Sequence, residues 1–188
     1  MQTENRYRKP LIIALFAVYL AVLVYVVLFK AQPDVSALQF RSLNLIPFTQ
    51  MISVRGRFGF DFVMNVLVFA PFGVYMTMLW SKRSILLRLL PIFAVSLLFE
   101  ILQYIFALGA SDINDLISNT LGGLLGIGAY ALAKKMFKEK TERVCLTTLA
   151  VGTVLVVLVL VIFAGSFQRM YNSEENRAAR AEILESQT

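Results

Sequence analysis

Apolar residues fall into runs that are long enough to cross a lipid bilayer, and polar residues are concentrated between them. A hydrocarbon core about 30 Å thick requires about 20 consecutive apolar residues in a helix. Five such runs are present, at residues 11–29, 60–79, 85–108, 113–133 and 144–167. The pattern predicts an all-α fold, an integral membrane bundle of five transmembrane helices.

The remaining segments are short compared with these runs. They are an N-terminal stretch of residues 1–10, a loop of residues 30–59 and a polar tail of residues 168–188. The first run follows three basic residues, as in a signal peptide, but it is too long for one, and no small-residue cleavage pattern follows Phe29. It is therefore interpreted as a retained span. A single transmembrane domain, residues 11–167, is expected to contain all five spans.

Composition supports a membrane protein, and the distribution of basic residues predicts its orientation. Hydrophobic residues make up 58% of the chain and charged residues 16%, against about 45–50% and 25% in soluble domains. With the N-terminus inside, eleven Lys and Arg residues lie on the inner side and seven on the outer side. The contrast is sharpest around the fourth span, and it predicts the N-terminus inside and the C-terminus outside. The net charge of +6 is dispersed, so no nucleic-acid partner is expected.

Carboxylates and amides interrupt the apolar pattern at the outer ends of three predicted spans. Placing a charge at membrane depth costs about 2.5–3.5 kcal/mol on insertion scales, so such residues are usually functional. Helical spacing places Glu100 and Gln103 on one face of the third span, and Asp112, Asp115 and Asn119 on one face of the fourth. Asp61 and Asn65 lie one turn apart on the second span. These polar faces are predicted to converge inside the bundle.

Structural interpretations compete with the functional ones. Asp112 could cap the fourth helix, and Asp115 could interact with the same helix terminus. Glu100 could form an ion pair with an arginine of the first loop. Gly122 and Gly126 are interpreted as packing residues, because small residues four apart let two membrane helices approach closely.

Several kinds of chemistry have no residues to support them. The chain contains no histidine, and Cys145 is its single cysteine, so His-dependent nucleophilic catalysis and a thiolate metal site are not predicted. Carboxylates could still bind Mg²⁺ or act as acid and base. No cofactor and no metal are predicted. The alternative is a carboxylate- and metal-dependent membrane enzyme acting on a lipid or polyprenyl-phosphate substrate.

Four short motifs occur in an order that resembles the VanZ-like family. They are Arg41-Ser-Leu-Asn44-Leu-Ile-Pro47-Phe48, Asn65-Val-Leu-Val-Phe-Ala-Pro71-Phe-Gly73, Glu100-x-x-Gln103, and Asp112-x-x-Asp115-x-x-x-Asn119-Thr-x-Gly122-Gly123. The family pattern often has a further basic residue between the Gln and the Asp pair, and residues 106–111 contain none.

The resemblance implies a small membrane protein linked to low-level resistance to teicoplanin, an acylated antibiotic that acts at the outer face of the membrane. No catalytic activity is established for the family. We expect a polar site facing the outer leaflet of the bacterial cytoplasmic membrane, with a membrane lipid or a lipoglycopeptide as its partner. The predicted binding residues are Arg41, Asn44, Asn65, Glu100, Gln103, Asp112, Asp115 and Asn119.

Overall fold

The computed structural model describes residues 2–28, 42–48, 57–106 and 110–185. Its helices are α1 (Gln2–Leu28), α2 (Arg57–Leu79), α3 (Ile85–Ile105), α4 (Ile113–Phe137) and α5 (Thr141–Glu185), with a 3-10 turn at Lys138–Lys140. Two short strands, β1 (Ser42–Asn44) and β2 (Ala110–Asp112), precede α2 and α4. The chain up to Leu149 forms one compact unit, and residues 150–188 are assigned to a second.

The predicted helical fold with apolar helices is confirmed. Length and hydropathy identify four candidate membrane spans within the described residues: Lys9–Val27, Gly59–Leu79, Ile85–Ile105 and Ile113–Ile162. The last candidate covers α4, the 3-10 turn and the first half of α5, where the sequence predicts two separate spans. The count of five spans and their orientation therefore stay predictions.

Helix boundaries differ from the boundaries of the predicted spans at several points. Helix α1 already begins at Gln2, and α3 ends at Ile105, three residues before the predicted span. Helix α5 continues through most of the polar tail and contains 45 residues.

Helices α2 and α4 pack with their backbones in close contact. A Cβ atom on Gly122 would overlap the carbonyl oxygen of Val66, and one on Gly126 would overlap that of Ala70. The packing interpretation of these two glycines is thus confirmed. A Cβ atom on Gly128, in contrast, would have no atom within 4 Å and would face open space. The close contact holds the polar faces of α2 and α4 against each other.

Aromatic side chains join α1 to α2 and α3. Tyr19, Phe72 and Tyr75 are buried in one cluster, and Phe69 and Phe99 extend it to α3. The Tyr19 hydroxyl donates a hydrogen bond to the Val68 carbonyl oxygen at 2.8 Å. A buried phenol usually needs such a partner, and this bond fixes α1 beside α2.

The outward-facing surface of the compact unit is rich in large apolar side chains, for example Phe60, Leu86 and Leu90. Apolar outer faces on helices whose backbone bonds are satisfied internally suit a lipid environment. The compact unit has two chemically different ends. We call the end where α2 and α4 begin the polar end, and the end where α2 and α4 finish the basic end.

Candidate functional site

A small parallel sheet joins the segment before α2 to the link between α3 and α4. Ser42 pairs with Ala110, Leu43 with Ser111, and Asn44 with Asp112. This sheet has no signature in the sequence, because strands of three residues are too short to show a hydrophobic period. The register brings Asn44 opposite Asp112 at the polar end.

Asp112 is the N-cap of α4, and its carboxylate is the centre of a hydrogen-bonded group. It accepts from the backbone N–H of Asn114 at 2.9 Å and from the Asn114 side-chain amide at 2.7 Å. The Asn44 amide lies 3.3 Å from both carboxylate oxygens. The capping interpretation of Asp112 is therefore confirmed, and the same carboxylate also holds the loop segment that contains Asn44.

Glu100 connects the end of α3 to strand β2. Its Oε2 atom accepts a hydrogen bond of 2.9 Å from the backbone N–H of Asp112. Its backbone carbonyl accepts a bond of 2.7 Å from the Ser111 hydroxyl. Glu100 is half-buried and Ser111 is buried. Glu100 and Asp112 are thus in direct contact, through the backbone N–H of Asp112 and the side-chain carboxylate of Glu100.

Asp115 joins α4 to α2. Its Oδ1 atom accepts a hydrogen bond of 2.7 Å from the side-chain amide of Asn65, which is only 8% exposed. A hydrogen bond to an ionised group contributes about 1.5–3 kcal/mol. The contact lies between two helices, so this carboxylate does more than interact with the start of its own helix.

Two further amides lie among the helices and each bonds a different neighbour. Asn119 donates to the Ser96 hydroxyl of α3 at 2.9 Å, and Gln103 donates to the Val27 carbonyl of α1 at 3.1 Å. The amide oxygens of Asn119 and Gln103 are buried and have no hydrogen-bond partner among the residues that the structure describes. An unsatisfied buried acceptor costs about 1–3 kcal/mol, so both atoms could accept a hydrogen bond from a further group.

The structure places seven of the eight predicted site residues. Arg41 lies outside the described residues. One hydrogen-bonded group contains Asn44, Glu100 and Asp112, and a second joins Asn65 to Asp115. Gln103 bonds α1 and not the acids, although its spacing from Glu100 predicts a shared face. Asp61, the other acid of α2, is exposed.

Asn114 is a site residue that is absent from the set predicted from the sequence. It is 2% exposed, and its Oδ1 atom accepts a hydrogen bond of 2.9 Å from the backbone N–H of Phe48. Phe48 has a φ of 62°, a left-handed conformation that is uncommon for a bulky residue and costs about 1–3 kcal/mol. The spacing Asp112-x-Asn114, typical of an Asx turn, was the available signal.

An apolar groove begins beside these acids. It has a volume of about 240 Å³ and is lined mainly by apolar side chains of α3, α4 and the segment that contains β1. Its polar edge is formed by Glu100, Ser111 and Asp112, and its apolar walls by Leu43, Leu45, Leu97, Ile101, Tyr104, Ile113 and Leu116. The carboxylate groups of Glu100 and Asp112 therefore lie directly beside the apolar groove.

The acidic residues of the site bond to amide side chains or to a backbone N–H. Within residues 2–28, 42–48, 57–106 and 110–185, no group of three or more His, Cys, Asp or Glu residues could hold a metal ion. The arrangement can accept hydrogen bonds and attract a cation, since carboxylates are acceptors when ionised.

Together, the lipid-suited helices and the polar group at one end define a helical membrane protein with a candidate binding site beside an apolar groove. The VanZ/LLP1 family model matches residues 16–134, so the chain belongs to this family. It is 40% identical to Protein VanZ from Enterococcus faecium over an alignment of 151 residues. This alignment covers 78% of this chain and 89% of that protein. No solved structure matches the chain. The family resemblance of the four motifs is confirmed, and the matched region runs from α1 to α4.

Proposed function

We propose that this protein binds an acyl-bearing amphipathic molecule at the outer leaflet of the bacterial cytoplasmic membrane. Its family resemblance to VanZ proteins suggests low-level teicoplanin resistance as the biological outcome. The observation that carries the proposal is the apolar groove of about 240 Å³ whose polar edge includes Glu100 and Asp112. A molecule with an acyl chain and a polar head matches both parts of this site.

The proposal places the polar end outside, with five spans, the N-terminus inside and the C-terminus outside. The distribution of basic residues supports this orientation. Residues 80–88 and 134–143, which lie at the basic end, contain eight Lys and Arg residues and two Glu residues. Such clusters favour the cytoplasmic side.

The groove and the acids have different roles in this proposal. An acyl chain already surrounded by lipid gains little hydrophobic free energy from entering a protein groove, because lipid tails are equally apolar. The groove therefore selects and orients the chain through van der Waals contact. Affinity has to come from the polar head, where hydrogen bonds to ionised groups contribute about 1.5–3 kcal/mol each.

The acids give the head-group site a negative charge. Glu100 and Asp112 border the groove, and they would attract an amine or hold Arg41 in place. A guanidinium so placed would bind an anionic group of the ligand with two parallel hydrogen bonds. Asn44 contacts Asp112 directly, whereas Asn65, Asp115, Asn119 and Gln103 hold the helices that carry the site.

Binding to the purified full-length protein in lipid nanodiscs would test this proposal. The probes are teicoplanin and teicoplanin whose acyl chain has been removed, each measured with and without EDTA. Leu97→Trp should block the groove and weaken binding of the acylated form about tenfold. Leu98→Trp is the matched control, since Leu98 is 49% exposed and does not line the groove.

Three results would contradict binding in the groove. They are equal affinity for both probes, equal loss in the two Trp variants, and unchanged binding in Glu100→Gln. A requirement for a divalent metal, together with conversion of a lipid or polyprenyl-phosphate substrate, would instead support the enzyme alternative.

A further inference from the structure

A second cavity lies at the opposite end of the compact unit, and its chemistry differs from that of the groove. It has a volume of about 760 Å³ and lies where α2 ends, α3 begins and α4 meets α5. Its lining includes Arg88, Lys134 and Lys138, and also the acids Glu139 and Glu142. Unlike the groove at the polar end, this cavity is lined largely by polar atoms.

The guanidinium of Arg88 is held in a fixed position at this cavity. Its Nε atom donates to the Trp80 carbonyl at 3.1 Å, and an Nη atom donates to the Ser81 carbonyl at 2.7 Å. A guanidinium has five N–H donors, so these two bonds leave further donors for a ligand. Since the loop backbone orients the group in advance, an oxyanion would bind with little additional ordering.

Lys138 lies at the junction of α4 and α5 in a conformation that favours glycine. Its φ is 49°, a positive value that side-chain-bearing residues rarely adopt and that glycine adopts readily. The buried hydroxyl of Thr141 stabilises this junction by donating to the Lys138 carbonyl oxygen at 2.6 Å, and the Ala133 carbonyl oxygen lies 3.3 Å from the same hydroxyl. The chain thus carries a cationic side chain at a position where glycine would cost less.

Electrostatics around the cavity favour an anion. Its lining has three basic and two acidic side chains. The adjoining segments 80–88 and 134–143 contain eight basic and two acidic residues in total, a net charge of eight minus two, or +6. Basic pockets between membrane helices are suited to the head groups of anionic lipids.

Apolar surface beside the cavity indicates that the anion belongs to a lipid. Ile85, one turn before Arg88 on α3, is 53% exposed, and Phe137, one turn after Lys134 on α4, is 42% exposed. Both helices line the cavity. A lipid whose phosphate is bound by Arg88 would therefore have its acyl chains beside exposed apolar side chains, whereas a free phosphate ion would make no such contacts.

We propose that this basic cavity is a binding site for the phosphate group of an anionic phospholipid, with Arg88, Lys134 and Lys138 as its ligands. The site is separate from the groove at the polar end and does not depend on the function proposed for it. Tyr130 lines the cavity on its helical side and adds a hydroxyl group that can donate to a phosphate oxygen.

Native mass spectrometry of the full-length protein in detergent, with added phosphatidylglycerol, tests the proposal. The variant Lys134→Gln/Lys138→Gln should lose affinity for this lipid about thirtyfold, since two basic residues near an anionic head group contribute about 1 kcal/mol each and every 1.4 kcal/mol is tenfold in affinity. The control Lys82→Gln/Lys135→Gln removes the same charge from the same end, but neither residue lines the cavity. It should change the affinity less than twofold.

Two further measurements complete the test. The first distinguishes a lipid phosphate from free phosphate, and the second distinguishes a loss of lipid binding from a loss of stability. Neutral phosphatidylcholine should bind at least tenfold more weakly, and millimolar inorganic phosphate should not displace phosphatidylglycerol. Lys138→Gly should raise the melting temperature by relieving the left-handed strain, and it should still weaken lipid binding. Equal losses in both double variants, displacement by inorganic phosphate, or unchanged binding in Lys138→Gly would overturn the proposal.

Discussion

The side-chain amide of Asn65 donates a hydrogen bond of 2.7 Å to Asp115 across the interface of α2 and α4. The two residues are 50 positions apart in the chain. They meet because the glycine face of α4 lets the α2 backbone approach closely, two to three turns further along α4. Packing and polar contact are therefore linked in this part of the bundle.

Replacing Asn65 should destabilise the protein more than replacing Asp115 by Asn. Asn65→Leu leaves the Asp115 carboxylate without this donor, a loss of about 1–3 kcal/mol. Asp115→Asn keeps an oxygen acceptor for Asn65 and removes only the negative charge. Thermal unfolding in detergent should show a clearly lowered melting temperature for Asn65→Leu and a nearly unchanged one for Asp115→Asn.

The same Asp115 variant tests whether Asp115 is only a structural residue or also contributes to ligand binding. If the charge of Asp115 contributes to ligand binding, Asp115→Asn should weaken teicoplanin binding to the protein in nanodiscs while its expression stays close to that of the parent. Unchanged binding in this variant would reduce Asp115 to a structural residue.

Asp112 should tolerate Asn better than Ala. Asn caps a helix about as well as Asp, whereas Ala at an N-cap costs about 0.5–2 kcal/mol. Asp112→Ala also removes the acceptor for Asn44 and Asn114, so we expect a loss at the upper end of this range. Denaturation of the two variants, side by side, measures the difference. Equal stability of Asp112→Ala and the parent would contradict the capping role.

Two glycines of α4 provide a matched test of the helix interface. In Gly126→Ala the new methyl group would overlap the Ala70 carbonyl, so we expect the melting temperature to fall sharply. In Gly128→Ala the methyl group enters open space, and stability should rise by up to about 1 kcal/mol, since Ala is the better helix former. Similar effects of both substitutions would mean that α2 and α4 do not pack as described.

Arg41 should be energetically coupled to Glu100 if the proposed site includes it. A double-mutant cycle with Arg41→Ala and Glu100→Ala, read out as ligand affinity, should give a coupling energy of about 0.5–3 kcal/mol. Pro47→Ala in place of Arg41→Ala is a control within the same segment. Strict additivity of the Arg41 and Glu100 variants would mean that the two groups do not interact.

Orientation can be tested with single cysteines in a Cys145→Ala background. Ile46→Cys, at the polar end, should react in intact cells with a thiol reagent that does not cross the membrane. Lys138→Cys, at the basic end, should react only after permeabilisation. Both parent side chains are exposed, so accessibility differs only through the side of the membrane. The reverse labelling pattern would place the polar site in the cytoplasm.

Local sequence determined much of what this protein is. Apolar runs of bilayer length are sufficient to produce helices with lipid-suited outer faces, because each helix satisfies its own backbone hydrogen bonds. Four ordered motifs were sufficient to predict the family. Asp112 before the apolar start of α4 was recognisable as an N-cap, since that role depends on neighbours within two or three residues.

Only the tertiary structure decided which polar groups meet. The pairing of Asn44 with Asp112 depends on two strands of three residues each, and the Asn65–Asp115 bond depends on the register of α2 against α4. Gln103 shares a helix face with Glu100 and yet contacts α1. Helical periodicity gives the face on which a residue lies but not the helix that packs against it, because that choice is made by side-chain volume over the whole interface.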